Sequence, residues 1–419
     1  MIGLDGQPLG PMPFEGVVVL DMARVLAGPT VSRLLAELGA DVTKIEGAPA
    51  GDVSRTLPYL RDGRSGYYIQ ANRGKRSVCI DLRAERGKEL VLELARRADV
   101  LVENYRPGVL DAMGLGWERL RQVNPRLILC SVTALGYGGP LSHKPGYDTI
   151  GAALSGMAYV SGRAGGPPLM PRAAMGDTMT GVHGFAGVAS ALYRRERTGV
   201  GDWVQVSLLD TYLHSHEINI QEHSGSRGAI DPGPHGSNPP PVSPGGFYRC
   251  GERYLFLACV ADEDWRRLSA AMGRPELGLD PRYLTNADRV AHNAELQQLV
   301  GDWIADLGEP TAVTELLDRH GVCAEIVYSV GEAMRHPHNL ARRGVRTVPD
   351  DVWGEITIPG VPIRFASVPA EADLRAEELG ASTREVLADV LGLDGEAIDT
   401  LYESAVVQGG EATVSPRHA

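Results

Sequence analysis

Between Val17 and Cys130 the sequence switches repeatedly between two hydrophobic periods. Val17 to Leu20, Val42 to Ile45, Val78 to Leu82, Val100 to Val102 and Leu127 to Cys130 are short apolar runs of strand length. Between them, Val31, Leu34, Leu35 and Leu38 recur at helical spacing, and Lys88 to Arg97 and Trp117 to Val123 read as helices. Strand, helix, strand in repetition leaves few solutions. Each helix must bury its apolar stripe against a sheet face, so the expected architecture is α/β, with a mainly parallel, Rossmann-like sheet flanked by helices.

Further along, Ile150 to Tyr159 and Thr180 to Arg195 read as helices, and Trp203 to Leu209 as a strand. From Ser224 to Gly246, 12 of 23 residues are Gly or Pro, too many for an element interior. This predicts a large domain over 1–223, a linker over 224–246, a smaller α/β domain over 247–328, and a return to the large domain over 329–419. Tyr254 to Val260 should be a strand of the smaller domain, and the last dozen residues, Gln408 to Ala419, should fray.

Charge and cysteine content narrow the class. Lys plus Arg number 41 and Asp plus Glu 53, a formal charge of −12, which disfavours nucleic acid and anionic membranes as partners. No stretch approaches the roughly 20 apolar residues that span a bilayer, and Met1 to Met12 does not read as a secretory signal. Cys79, Cys130, Cys250, Cys259 and Cys323 lack C-x-x-C spacing, which suits reduced thiols, and the expected location is cytoplasmic.

Several familiar sites are missing. Gly114-Leu115-Gly116 and Gly136-Tyr137-Gly138-Gly139 lack the third glycine of a dinucleotide turn, and there is no P-loop. Ser155 is not in a nucleophile elbow, and His336-Pro337-His338 lacks the spacing of a metal site. Three segments remain. Met175-Gly176-Asp177 puts a carboxylate just ahead of the predicted helix, where it is either an N-cap or a nucleophile whose oxyanion the same donors stabilise. Asn72-Arg73-Gly74-Lys75-Arg76 is either a solvated loop or an anion cradle. Glu103 to Gly108 follows a strand, at the carboxyl end where open α/β sheets hold ligands.

These segments, with Gly16 to Asp21, Leu26-Ala27-Gly28-Pro29, Leu38 to Glu46, Gly51-Asp52 and Asn72 to Ser77 with Asp81-Leu82, resemble the class III CoA-transferases, whose side branch is α-methylacyl-CoA racemase. The resemblance implies an interlocked homodimer acting on acyl-CoA and carboxylic acid substrates, with no metal and no cofactor beyond coenzyme A. It implies Asp177 as the nucleophile, forming an aspartyl-CoA thioester in a ping-pong reaction. It further implies that Asn104, Tyr105, Met113 and Tyr147 line the CoA or acyl site, with Arg106 beside them, and that Asn72, Lys75 and Arg76 approach CoA. The racemase branch uses a His in a Gly-His-Asp element. Here that place reads Gly146-Tyr147-Asp148, so transferase ranks above racemase or epimerase. Where the formyl-CoA branch has a glycine-run lid, this chain has Pro239-Pro240-Pro241, and where that branch has arginines it has neutral Gly47 and Ala48.

Overall fold

A computed structural model of the chain describes residues 10–237, 241–368 and 374–409. The chain divides into two units, one comprising Met1–Met157, Pro171–Glu217 and His338–Ala419, the other Ala158–Met170 and Ile218–Pro337.

The first unit is built on β1 (Val18–Asp21), β2 (Asp41–Gly47), β3 (Lys75–Ile80), β4 (Val100–Glu103), β5 (Ile128–Thr133) and β6 (Trp203–Ser207), all parallel to their neighbours. Its helices include α1 (Ala27–Glu37), α2 (Gly66–Asn72), α3 (Glu85–Ala95), α4 (Asp148–Ser155), α5 (Met175–Thr198) and α6 (Leu208–His214). The strands are apolar on both faces because helices cover both. Leu20, Ile45, Val78, Leu101 and Leu129 pack with Leu90 and Leu94 of α3. On the other face Val19, Val42, Val100 and Ile128 pack with Val31 and Leu35 of α1 and with Val188 of α5.

The second unit carries an antiparallel sheet of β7 (Gly245–Cys250), β8 (Arg253–Ala258) and β9 (Cys323–Ile326). Trp265, Leu296, Val300 and Leu317, from helices Asp262–Ala271, Asn293–Leu307 and Pro310–Arg319, are buried in its core. Late in the chain β10 (Val345–Asp350) and β11 (Gly354–Pro359) form a hairpin, and β12 (Val407–Gln408) adds antiparallel to β3. The large sheet thus runs β12-β3-β2-β1-β4-β5-β6.

Some elements differ from expectation. The strand at Trp203 stops at Ser207, whose hydroxyl accepts from the Asp210 amide at 3.0 Å and starts α6, so Leu208 and Leu209 are helical. The Gly/Pro-rich stretch is entered by helix Asn219–Gly225 and ends inside β7. Gln408 is a strand residue; the rest of the expected frayed tail, from 410, lies outside the described residues, as do Asn238, Pro239 and Pro240 of the proline run. All five cysteines are free thiols, and only Cys323 is exposed.

Candidate active site

The sheet order creates a crevice. From β1 the chain steps to β2 and β3 on one side, then crosses to β4 on the other, so the carboxyl ends of β1 and β4 diverge at a switch point. Two loops meet there. Asn104, just past β4, accepts from the Arg24 amide at 2.8 Å and donates to the Arg24 carbonyl at 2.7 Å, clasping the segment that follows β1. The Arg24 guanidinium carbon lies 5.2 Å from the Tyr105 ring centroid. Val25 is held in the left-handed region at φ 69, uncommon for a β-branched residue, and its amide faces both oxygens of Asp52 at 3.2 and 3.3 Å. Lys44 secures Asp52 at 3.0 Å and donates to the Ala23 carbonyl at 2.7 Å.

Behind this loop lies a buried ionic network. The Lys75 ammonium spends its three donors on Asp21 at 2.8 Å, Asn72 Oδ1 at 3.0 Å and the Pro29 carbonyl at 3.0 Å. Lys75 is 3% exposed and Asn72 1%. Burial pushes the Lys75 ammonium down to about 8, against the pull of Asp21. The segment is therefore no solvated loop: Lys75 is the first residue of β3 and part of the core. Arg76 points the other way and forms a bidentate pair with Asp41 at 2.7 and 2.8 Å.

Asp177 stands on α5. The helix begins at Met175, so Asp177 is inside the first turn, and Ala174 occupies the cap position. The N-cap reading is thereby corrected. Early helix formation survives four glycines because tertiary contact needs them. A Cβ on Gly181 would sit 2.5 Å from Thr30 Cβ and 2.7 Å from the Ala27 carbonyl oxygen, and one on Gly184 would sit 2.7 Å from Val31 Cγ2. The two helices are in close contact, and Asp177, one turn before Gly181, lies on the same face of α5.

Among the described residues no group hydrogen-bonds the Asp177 carboxylate, and it is half-buried. Desolvation, and then the negative charge of Asp148, push it up to about 7. Asp148 opens α4 and accepts from the Tyr212 hydroxyl at 2.7 Å. Tyr67 of α2 lies in the field of the same carboxylates: burial, then Asp177, Asp52 and Asp148, raise its hydroxyl to about 12.

The geometry thus gathers Asp177, Asp148, Tyr67 and Tyr212 in one group, and Asn104, Tyr105, Arg24, Val25 and Asp52 in another beside it. Arg106 is exposed next to Tyr105. Met113 packs partly against the core under the β4 loop. Tyr147, at 75% exposure, caps α4 with its ring in solvent. Tyr67 and Tyr212 carry no motif that marks them; Tyr67 is foreshadowed only by standing ahead of Asn72. An ionised carboxylate without donors, shielded from water, is a strong nucleophile toward a carbonyl carbon.

Against known families, the sequence matches the model described as CoA-transferase family III over residues 14–383. This chain belongs to CoA-transferase family III. Relatives include a formyl-CoA:oxalate CoA-transferase of Streptomyces avermitilis, 34% identical over 94% of this chain and 99% of that one. A succinyl-CoA–D-citramalate CoA-transferase of Chloroflexus aurantiacus is also 34% identical, over 95% and 98%. Among solved structures, a CAIB/BAIF family protein from Brucella suis superposes with a TM-score of 0.79 at 32% identity, covering 91% of this chain and all of that one. This family III member is an acyl-CoA:carboxylate CoA-transferase, and the α/β fold expected from its alternating periods is the family's fold.

Proposed function

We propose that the enzyme moves CoA by a ping-pong route through Asp177. The carboxylate attacks the carbonyl carbon of an acyl-CoA; the C–S bond breaks, giving an acyl-aspartyl anhydride and CoA thiolate. The thiolate attacks the aspartyl carbonyl and expels the donor acid as its carboxylate, leaving an aspartyl-CoA thioester. The acceptor carboxylate then attacks that thioester, and CoA thiolate returns to the acceptor's acyl carbon, regenerating Asp177. Once Asp177 is ionised no proton is transferred at any step, so a site without a neighbouring base suffices. The observation that carries this reading is the Asp177 carboxylate itself, half-buried, without a donor among the described residues and on the face of α5 that packs against α1.

CoA is taken at the switch-point crevice by Asn104, Tyr105 and Arg106, with Met113 and Tyr147 farther along the acyl path. Asn72 and Lys75 act from beneath, through Asp21 and the Pro29 carbonyl, and Arg76 is engaged by Asp41. The working form is an interlocked homodimer in the cytoplasm. Met175, Val182 and Tyr193 support the dimer, for they form an exposed apolar stripe on α5 opposite its buried face, as a helix covered by a second copy would have.

The test is trapping. Incubated with formyl-, acetyl- or succinyl-CoA and no acceptor, the protein should retain CoA bound through position 177, released by hydroxylamine and reduced by borohydride. Asp177→Ala should bind CoA without forming the adduct. Near-native turnover in Asp177→Asn would overturn the mechanism.

A further inference from the structure

Tyr212 lies outside every motif that carries the family resemblance, yet the structure seats it against the nucleophile. Its side chain is 4% exposed and sits among three helices. Two glycines make the room. A Cβ on Gly176 of α5 would collide with the Tyr212 ring and with Asp148 Oδ1, and one on Gly151 of α4 would come within 3.3 Å of the ring. The hydroxyl donates to Asp148 Oδ1 at 2.7 Å, and the Gly176 amide faces the hydroxyl oxygen itself. Gly176 is the residue before Asp177, so one phenol links the acidic end of α4 to the first turn of α5.

We propose that Tyr212 is a positioning residue for the transferase reaction: its hydroxyl holds the Asp148 carboxylate at the first turn of α5, beside Asp177. The groups facing Asp177 are Asp148 from α4, Tyr67 from α2 and Tyr212 from α6, with Asp52 beyond Tyr67. Asp148 is the one whose charge acts on Asp177, and a carboxylate acts at a fixed strength only if it is held at a fixed place. Burial alone would also raise Asp177, but Asp148 adds a contribution that depends on the phenol. This inference rests on the reading of Asp177 as the nucleophile only for its catalytic meaning, not for the linkage itself.

Difference infrared titration of the protonated carboxyl band, assigned to position 177 by subtracting Asp177→Ala, reads the linkage without any substrate. The wild-type midpoint should lie about 7. Tyr212→Phe keeps the ring in its slot and removes only the hydroxyl; Asp148 is freed to turn to solvent, and the midpoint should fall by about one pH unit. Asp148→Asn should lower it at least as far, and the double variant should match Asp148→Asn alone, because both act through one charge. A folded Tyr212→Phe with an unmoved midpoint overturns the proposal. So does loss of the fold in Tyr212→Phe, since the hydroxyl would then be holding helices together. Failure of wild-type protein to trap CoA at position 177 would overturn the nucleophile reading and leave the titration result standing.

Discussion

Gly181 of α5 lies directly against Thr30 of α1, with no room for a methyl group between them. That contact sets how closely the face of α5 that carries Asp177 packs against α1. Gly181→Ala should push the helices apart, destabilise the protein by about 1–3 kcal/mol, and lower turnover more than it lowers CoA binding. Thermal denaturation beside steady-state kinetics would show it; an unchanged rate would mean the spacing is not critical.

Lys75 and Arg76 are adjacent but should respond differently. Lys75→Ala takes from buried Asp21 the nearer of its two cations, leaving Lys44 at 3.8 Å, strips the Asn72 and Pro29 acceptors of their donor, and should cost about 3–5 kcal/mol, with loss of soluble protein as the visible sign. Arg76→Ala breaks a partly exposed pair with Asp41 and should cost under about 1 kcal/mol. Urea titration of both variants is the check, and equal losses would contradict the burial described above.

Stability should depend on pH with opposite signs at two carboxylates. Glu46 is held down to about 2 against its burial, first by Arg55 and then by Lys44 and the Asp52 amide. Its contribution is complete above pH 4.5 and is lost as pH falls through about 2, a change of about 3 kcal/mol that Glu46→Gln should abolish. Asp177 runs the other way: raised to about 7 from 3.8, it keeps its proton in the native state, so stability falls as pH rises across that interval. Asp177→Asn should therefore melt higher than wild type at pH 8, by roughly 1–2 kcal/mol, and no higher at pH 4.

Exchange at the thioester carbon leaves the α-hydrogen of the acyl group untouched, whereas racemisation must pass it through enzyme groups. In heavy water the enzyme should place no deuterium at the α-carbon of its acyl-CoA. Uptake that depends on Asp177 would favour the racemase branch.

The large sheet was legible because its strands are buried on both faces, which writes them as continuous apolar runs. Its register with β12 was not, since Val407 and Gln408 carry no strand signal of their own and are ordered by Ile80 and Cys79. Asp177 could be singled out by its surroundings in sequence, but its place in the helix could not. Gly176 and Gly181 look like helix breakers until α1 and Tyr212 are brought beside them. Lys75 misleads for a similar reason: a basic cluster reads as surface until Asp21, distant in sequence, supplies the buried partner. Tyr67 and Tyr212 had no signal, because only the fold brings them to Asp177.

The pairing of β12 with β3 also bears on how this protein is made. β3 and its outer edge are made before the second unit, whereas the strand that covers that edge is made only after it. Until then the nascent sheet presents unpaired backbone groups on that side, an invitation to pair with other chains. A stop codon shortly before Val407 would spare every residue named at the active site and still yield a chain prone to aggregate, so a lesion there should act through yield, not through chemistry.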